Sequence, residues 1–252
     1  MDQFWLHRDH IYEQGLSIGF GTFSKAHLIW LLFIAVFCWL TGNFYRSRSD
    51  SGKDKMRKCC GLAVVLLEYA KMIVMGLFQV NTLEFVPLHL CSVGGFAILV
   101  YAMWPGKRWL GQLFAYMFFP AAMLAVVFPS SSMYPLWNFY CLHTFVFHAL
   151  IIAFFIWLLM AGEVKPDYKG LWFSFLFILL FAIPIYCLDG QFHVNYMFIG
   201  MRSDVGILAA MWDTIVPRYG RLGFTAVLGL IMLVLCHILY GIYSLVNHLK
   251  SR

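Results

Sequence analysis

Apolar stretches of roughly twenty residues recur along almost the whole chain, with only short polar or basic runs between them. At a rise of about 1.5 Å per residue, one such stretch crosses a hydrocarbon layer of roughly 30 Å. Seven spans are predicted, at about residues 25–45, 59–79, 83–104, 110–129, 137–160, 171–188 and 222–246. Helices satisfy their own backbone polar groups in lipid, so the expected fold class is all-α, a polytopic membrane protein of seven transmembrane helices. The segment before them, 1–24, mixes Asp2, His7, Arg8, Asp9, His10 and Glu13 with Phe4, Trp5 and Leu6. That mixture reads as an extracellular interfacial lead-in and not as a cleaved signal. The transmembrane domain is expected over 25–246, with a long outer loop at 189–221 and a cytoplasmic tail at 247–252.

Composition supports the pattern. The chain is 62% hydrophobic and 12% charged, with a mean hydropathy of +0.77, far from the charged fraction of a soluble domain. A second, soluble domain has no room. The net charge of +6 does not indicate nucleic acid, because the basic residues lie in short loops where they report topology. Arg46, Arg48, Lys53, Lys55, Arg57, Lys58, Lys107, Arg108, Lys165, Lys169, Lys250 and Arg252 fall on one side, twelve against five on the other: Arg8, Lys25, Arg202, Arg218 and Arg221. The richer side is therefore expected in the cytoplasm, with the N-terminus outside. Lys71, within the second span, follows Glu68 by three residues and is expected to pair with it on one helix face.

Candidate chemistry centres on Pro87-Leu88-His89-Leu90-Cys91-Ser92. Ionisable side chains in a span face the protein interior or a watery cavity, so a thiol and an imidazole here mark a site. Cys91 is the candidate nucleophile; the plainer reading is a buried cysteine acting as a small hydrophobe. A thiol needs a base, and His89, two residues away, points elsewhere on a helix. The fifth span offers His143 and His148. Cys91 lies thirteen residues above Trp104 and His148 twelve above Met160, roughly 20 and 18 Å, whereas His143 lies roughly 26 Å up. His148 thus matches the thiol in depth, as a general base would, and His143 is a neighbour turned about 140° away.

The loop 189–221 is apolar for its length and reads as a cavity wall or lid, or as an amphipathic helix anchored by Trp212 and Tyr219. If it folds inward, Asn195 is a candidate amide for a developing oxyanion. The cysteines 38, 59, 60, 91, 141, 187 and 236 have no metal-type spacing and imply no disulfide framework; Cys59-Cys60 reads as packing in preference to lipidation. No phosphate loop, zinc motif or nucleophile elbow occurs, and neither metal nor cofactor is expected. His27, His237, Pro120, Pro129 and Pro184 read as packing or kink residues.

Through Pro87-Leu-His-Leu-Cys91, the histidines of the fifth span and Asn195-Tyr196-Met197-Phe198, most of the chain resembles the YwaF-like integral membrane proteins, a bacterial seven-span family. That family is related to a vertebrate lipid acyltransferase with a cysteine–histidine pair. The resemblance implies a multi-pass protein of the bacterial plasma membrane, glycerolipids or lysolipids as substrates, and the catalytic roles on Cys91 and His148, with His143 an alternative. The expected function is acyl transfer through a thioester. Two alternatives stay open beside it: a lipid ester hydrolase, and a proton-coupled transporter or channel using Glu68, Lys71, His89, His143 and His148. Paired histidines would also suit a haem or quinone protein.

Overall fold

In the computed structural model, residues 3–7, 11, 15, 19–77, 83 and 86–250 are described, apart from the side chain of Lys250, and their regular structure is all helical. The expectations for Asp2, Arg8, Asp9, His10, Glu13 and Arg252, and for residues 78–82 and 84–85 between the second and third spans, lie outside the described residues. Seven long elements follow: α1 (Lys25–Arg46), α2 (Asp50–Leu77), α3 (Leu90–Met103), α4 (108–127), α5 (Phe139–Met160), α6 (Tyr168–Phe192) and α7 (Gly206–Lys250). Six are long and apolar enough to cross a membrane, α4 being extended by the turn Ser130–Met133; α3, with 14 residues, is shorter.

The third span departs from the expected 83–104 because of Pro87. Proline removes a donor and disfavours helix in the residue before it. The chain therefore stays extended through His89 (φ −66°, ψ 146°), and α3 opens only at Leu90. Cys91 is consequently in the first helical turn.

α3 is held on three sides. A Cβ on Gly61 of α2 would come within 2.9 Å of the Leu99 backbone. Likewise one on Gly94 would meet the Phe118 ring of α4, and one on Gly95 the Phe147 ring of α5, each at 3.0 Å. α5 also packs against α1, where Trp30 stacks on Phe145 (centroids 4.8 Å apart, 3° between planes) and Trp157 Nε1 donates to Thr41 Oγ1 at 2.9 Å. α4 widens to a π-helical turn at Phe114–Phe118, whose ladder offers surplus carbonyls. Cys236 Sγ of α7 donates to Tyr116 O at 3.2 Å, and Tyr243 Oη to Ala115 O at 3.4 Å.

The long loop expected at 189–221 is mostly helix. α6 continues to Phe192, His193 leaves it in a left-handed conformation, and the connection is only 193–205. Within α7 the axis breaks at Gly220, whose φ of 65° and ψ of −177° only glycine adopts readily, so 206–219 forms a separate helical arm before the span. Of the two expectations for this stretch the helix is the one present, although its first residues, 207–212, are apolar on every face. Asp189 Oδ1 accepts the Tyr196 N–H at 2.9 Å and fastens the connection to the end of α6. At the chain's start, Leu6, His7 and Ile11 are buried in the bundle, and Asn138 Nδ2 donates to Leu6 O at 2.9 Å.

Candidate functional site

Where α2, α3 and α5 converge, the apolar interior gives way to a polar cluster. Glu68, 2% exposed, accepts at the same Oε1 from Lys71 Nζ (2.6 Å) and from Ser92 Oγ (2.8 Å). The expected Glu68–Lys71 pair is thus present, and it also ties α2 to α3. The second Glu68 oxygen, Oε2, is buried with no hydrogen-bond partner among the described residues. Lys71 is the hub: its charge acts on Cys91, His89, His143 and His148, and Glu68 acts on Cys91 and His148.

Cys91 is half-buried at the second position of α3. The Val93 N–H bonds back to His89 O, while the N–H groups of Leu90, Cys91 and Ser92, in the first turn, have no intrahelical acceptor. These donors and the positive end of the helix dipole lie at the end of α3 that carries Cys91. His148, half-buried on α5, has its Nδ1 2.6 Å from Thr144 O. The carbonyl can only accept, so Nδ1 carries the proton and Nε2 is left with its lone pair. Among the described residues no hydrogen bond joins Cys91 to His148.

The other candidates sit around this core. His89 caps the start of α3 and packs its ring edge-on to Tyr196 (5.5 Å) and against Phe198 (6.0 Å), joining the 193–205 connection to the cluster. His143 stacks on Phe147 at 5.3 Å, with its Nε2 buried and unpartnered among the described residues. It faces a cavity of about 140 Å³ that also reaches Lys71, Thr144, Ser131, Tyr140 and His7. Cys91 and His148 are absent from that lining, so the cavity opens on the His143 side of the cluster. Asn195 turns its Oδ1 inward on its own loop, accepting the Gly200 and Met201 N–H groups at 3.0 and 3.1 Å. It holds the connection together. His27, expected to be structural, is fully buried and links Phe23 N–H to Val126 O through its two ring nitrogens.

Two members escaped the sequence reading. Ser92 carried no role there, although its place beside Cys91 on a helix approaching Glu68 was a usable signal; the backbone donors of α3 followed from Pro87 once that residue was taken as the helix stop.

A family model, that of the TMEM164 family, matches residues 22–240. No curated protein and no solved structure matches the chain. The matched stretch takes in α1 to α6, the connection and most of α7, and with them every residue of the polar cluster. A membrane-embedded, all-helical chain matched over that length belongs to the TMEM164 family.

Proposed function

We propose that this protein is a membrane lipid acyltransferase or transacylase in which Cys91 is the nucleophile and His148 the base. The reading is supported by a thiol in the first turn of a helix beside the Glu68–Lys71 cluster, and by an imidazole on α5 whose Nδ1 is fastened to Thr144 O, leaving Nε2 able to take a proton. Cys91 Sγ attacks the ester carbonyl of a glycerolipid and its proton passes to His148 Nε2. The carbonyl oxygen turns negative beside the free N–H groups of α3, which take the part first sought in Asn195. Collapse releases the lysolipid, which leaves with the proton from His148, and a thioester remains on Cys91. An acceptor hydroxyl then attacks the thioester, gives its proton to His148, and restores the thiol as the new ester forms. Water in the acceptor's place makes the same machinery an ester hydrolase. The narrower kinship with YwaF-like proteins and with the vertebrate acyltransferase, and a bacterial plasma-membrane location, belong to this proposal.

Purified protein treated with a lipid-like acyl electrophile is expected to gain one acyl mass on the peptide containing Cys91. Cys91→Ala and His148→Ala should each abolish transfer, and the double variant should be hardly slower than either single, because the two act as one unit. Cys91→Ser should lose most activity and trap any acyl group as a more stable oxygen ester. Transfer at the wild-type rate by Cys91→Ala would refute the enzyme.

A second reading has its own support in Glu68 Oε2 and His143 Nε2, both without a partner among the described residues and close to Lys71 and the cavity, an arrangement suited to a proton-coupled path. Flux through such a path needs Glu68 and survives loss of the Cys91 thiol. Glu68→Gln and Cys91→Ala, measured side by side, separate the two.

A further inference from the structure

At the end of the bundle away from Cys91, the turn joining α3 to α4 and the turn joining α5 to α6 enclose a second cavity of about 430 Å³. Its volume is within the roughly 300–1,000 Å³ of pockets that take small ligands. Thirteen residues of helix separate Cys91 from Trp104 beside this cavity, about 20 Å, so it is not part of the polar cluster.

Charge in the cavity is unbalanced. Both of its carboxylates are already neutralised by arginine: Asp167 Oδ2 is 2.9 Å from Arg108 Nη2, and Glu163 Oε2 is 3.0 Å from Arg57 Nη1. Tyr45 Oη also donates to Glu163 Oε1 at 2.8 Å. Lys107 and Lys165, one on each turn, also line the cavity and pair with neither carboxylate. The field there is therefore that of two uncompensated cations. The turns themselves are made by Gly106 and Gly162, both at positive φ and with open space where a Cβ would stand, so a ligand can approach the backbone.

The surroundings identify the kind of ligand. Trp104 (55% exposed), Trp109 (48%), Tyr168 (46%) and Trp172 (45%) ring the same end of the bundle. Amphipathic aromatics of this type settle at the depth of lipid head groups. We infer that this cavity is a binding site for the phosphate of an anionic phospholipid head group, held between Lys107 and Lys165. Basic pockets between spans at this depth recognise such head groups in general. The site is independent of acyl transfer and does not require Cys91 or His148.

The test uses the full chain in detergent, loaded with equal amounts of phosphatidylglycerol and phosphatidylcholine and examined by native mass spectrometry. Phosphatidylglycerol should be retained in preference. Each lysine near a membrane surface contributes about a fivefold gain toward anionic lipid, so Lys107→Ala with Lys165→Ala should weaken retention about 25-fold. Lys53→Ala with Lys55→Ala, the same change of charge in the first two turns of α2, should leave it unchanged. Lys107→Arg with Lys165→Arg should restore it, which also shows that any loss is not misfolding. Equal retention in all variants, or equal loss in both alanine pairs, would overturn the site. Excess inorganic phosphate should displace the lipid only weakly; strong phosphate binding by lipid-free protein, with phosphatidylglycerol unable to compete, would assign the cavity to a free anion and overturn the lipid assignment.

Discussion

Ser92→Ala should destabilise the protein measurably although it deletes a single oxygen. Ser92 is 4% exposed and Glu68 2% exposed, and the 2.8 Å bond between them crosses from α3 to α2. A hydrogen bond to a charged acceptor contributes about 1.5–3 kcal/mol, whereas interhelical bonds in membrane proteins average about 0.6 and reach about 1.7. The carboxylate acceptor and near-complete burial favour the region where the two ranges meet, roughly 1.5–2 kcal/mol. For a chain of this length about 2–4 °C of melting temperature accompanies each kcal/mol, so a loss of about 3–8 °C is expected. The assay is thermal unfolding in detergent followed by tryptophan fluorescence. A matched control exists in Ser174, also fully buried, whose Oγ has no partner among the described residues. Ser174→Ala removes an unsatisfied polar group and should leave the melting temperature unchanged or raise it. A Ser92→Ala protein melting within about 1 °C of wild type, or a Ser174→Ala protein losing as much as Ser92→Ala, would refute the reasoning.

Gly61→Ala drives a Cβ to 2.9 Å from the Leu99 backbone and should cost about 1–3 kcal/mol in the same assay, while Gly76→Ala on the same helix meets nothing within 4 Å and should gain about 0.5–1 kcal/mol. At Asp167, desolvation pushes the carboxyl upward, but the Gly170 N–H and Arg108 outweigh it and hold the group below the usual carboxylate range. Its contribution is therefore complete above about pH 3.9 and is lost as the pH falls through the lower folded value; Asp167→Asn should flatten that part of an acid-stability curve. The orientation proposed from the basic residues places the α1–α2 turn in the cytoplasm. A cysteine at Ser49, with native cysteines replaced, should then resist impermeant thiol reagents in intact cells, and ready labelling there would reverse it.

Hydrophobic length was enough to locate the spans, because a helix must be apolar for as long as lipid surrounds it. α1, α5 and the part of α7 after Gly220 follow the expected limits within a few residues. Helix ends were less legible. Pro87 shortened α3, and for the stretch after Gly206 a lid and a surface helix stayed open side by side, because Gly220, read without its φ, gives no sign that helix stands on both sides of it. The Glu68–Lys71 pair followed from a three-residue spacing on one helix. Ser92 did not, since its bond joins residues 24 apart and depends on how two helices face each other. The depth count put Cys91 and His148 at one level but carried no information on rotation about either axis, which is why the cavity beside His143 could not be anticipated.

Asn138 sits at 0% exposure, caps α5 by accepting the Tyr140 N–H at Oδ1, and donates from Nδ2 to Leu6 O, 132 residues earlier. During synthesis that second bond has no donor until the chain has grown from the first residues to the start of α5. At about 5–20 residues per second the wait is roughly 7–26 s, long compared with helix formation in microseconds. α1 and α2 are thus made and available for insertion well before Leu6 finds its place. The Leu6 segment therefore cannot make this bond until the chain has reached the start of α5, and a ribosome stalled before Asn138 leaves it without that anchor.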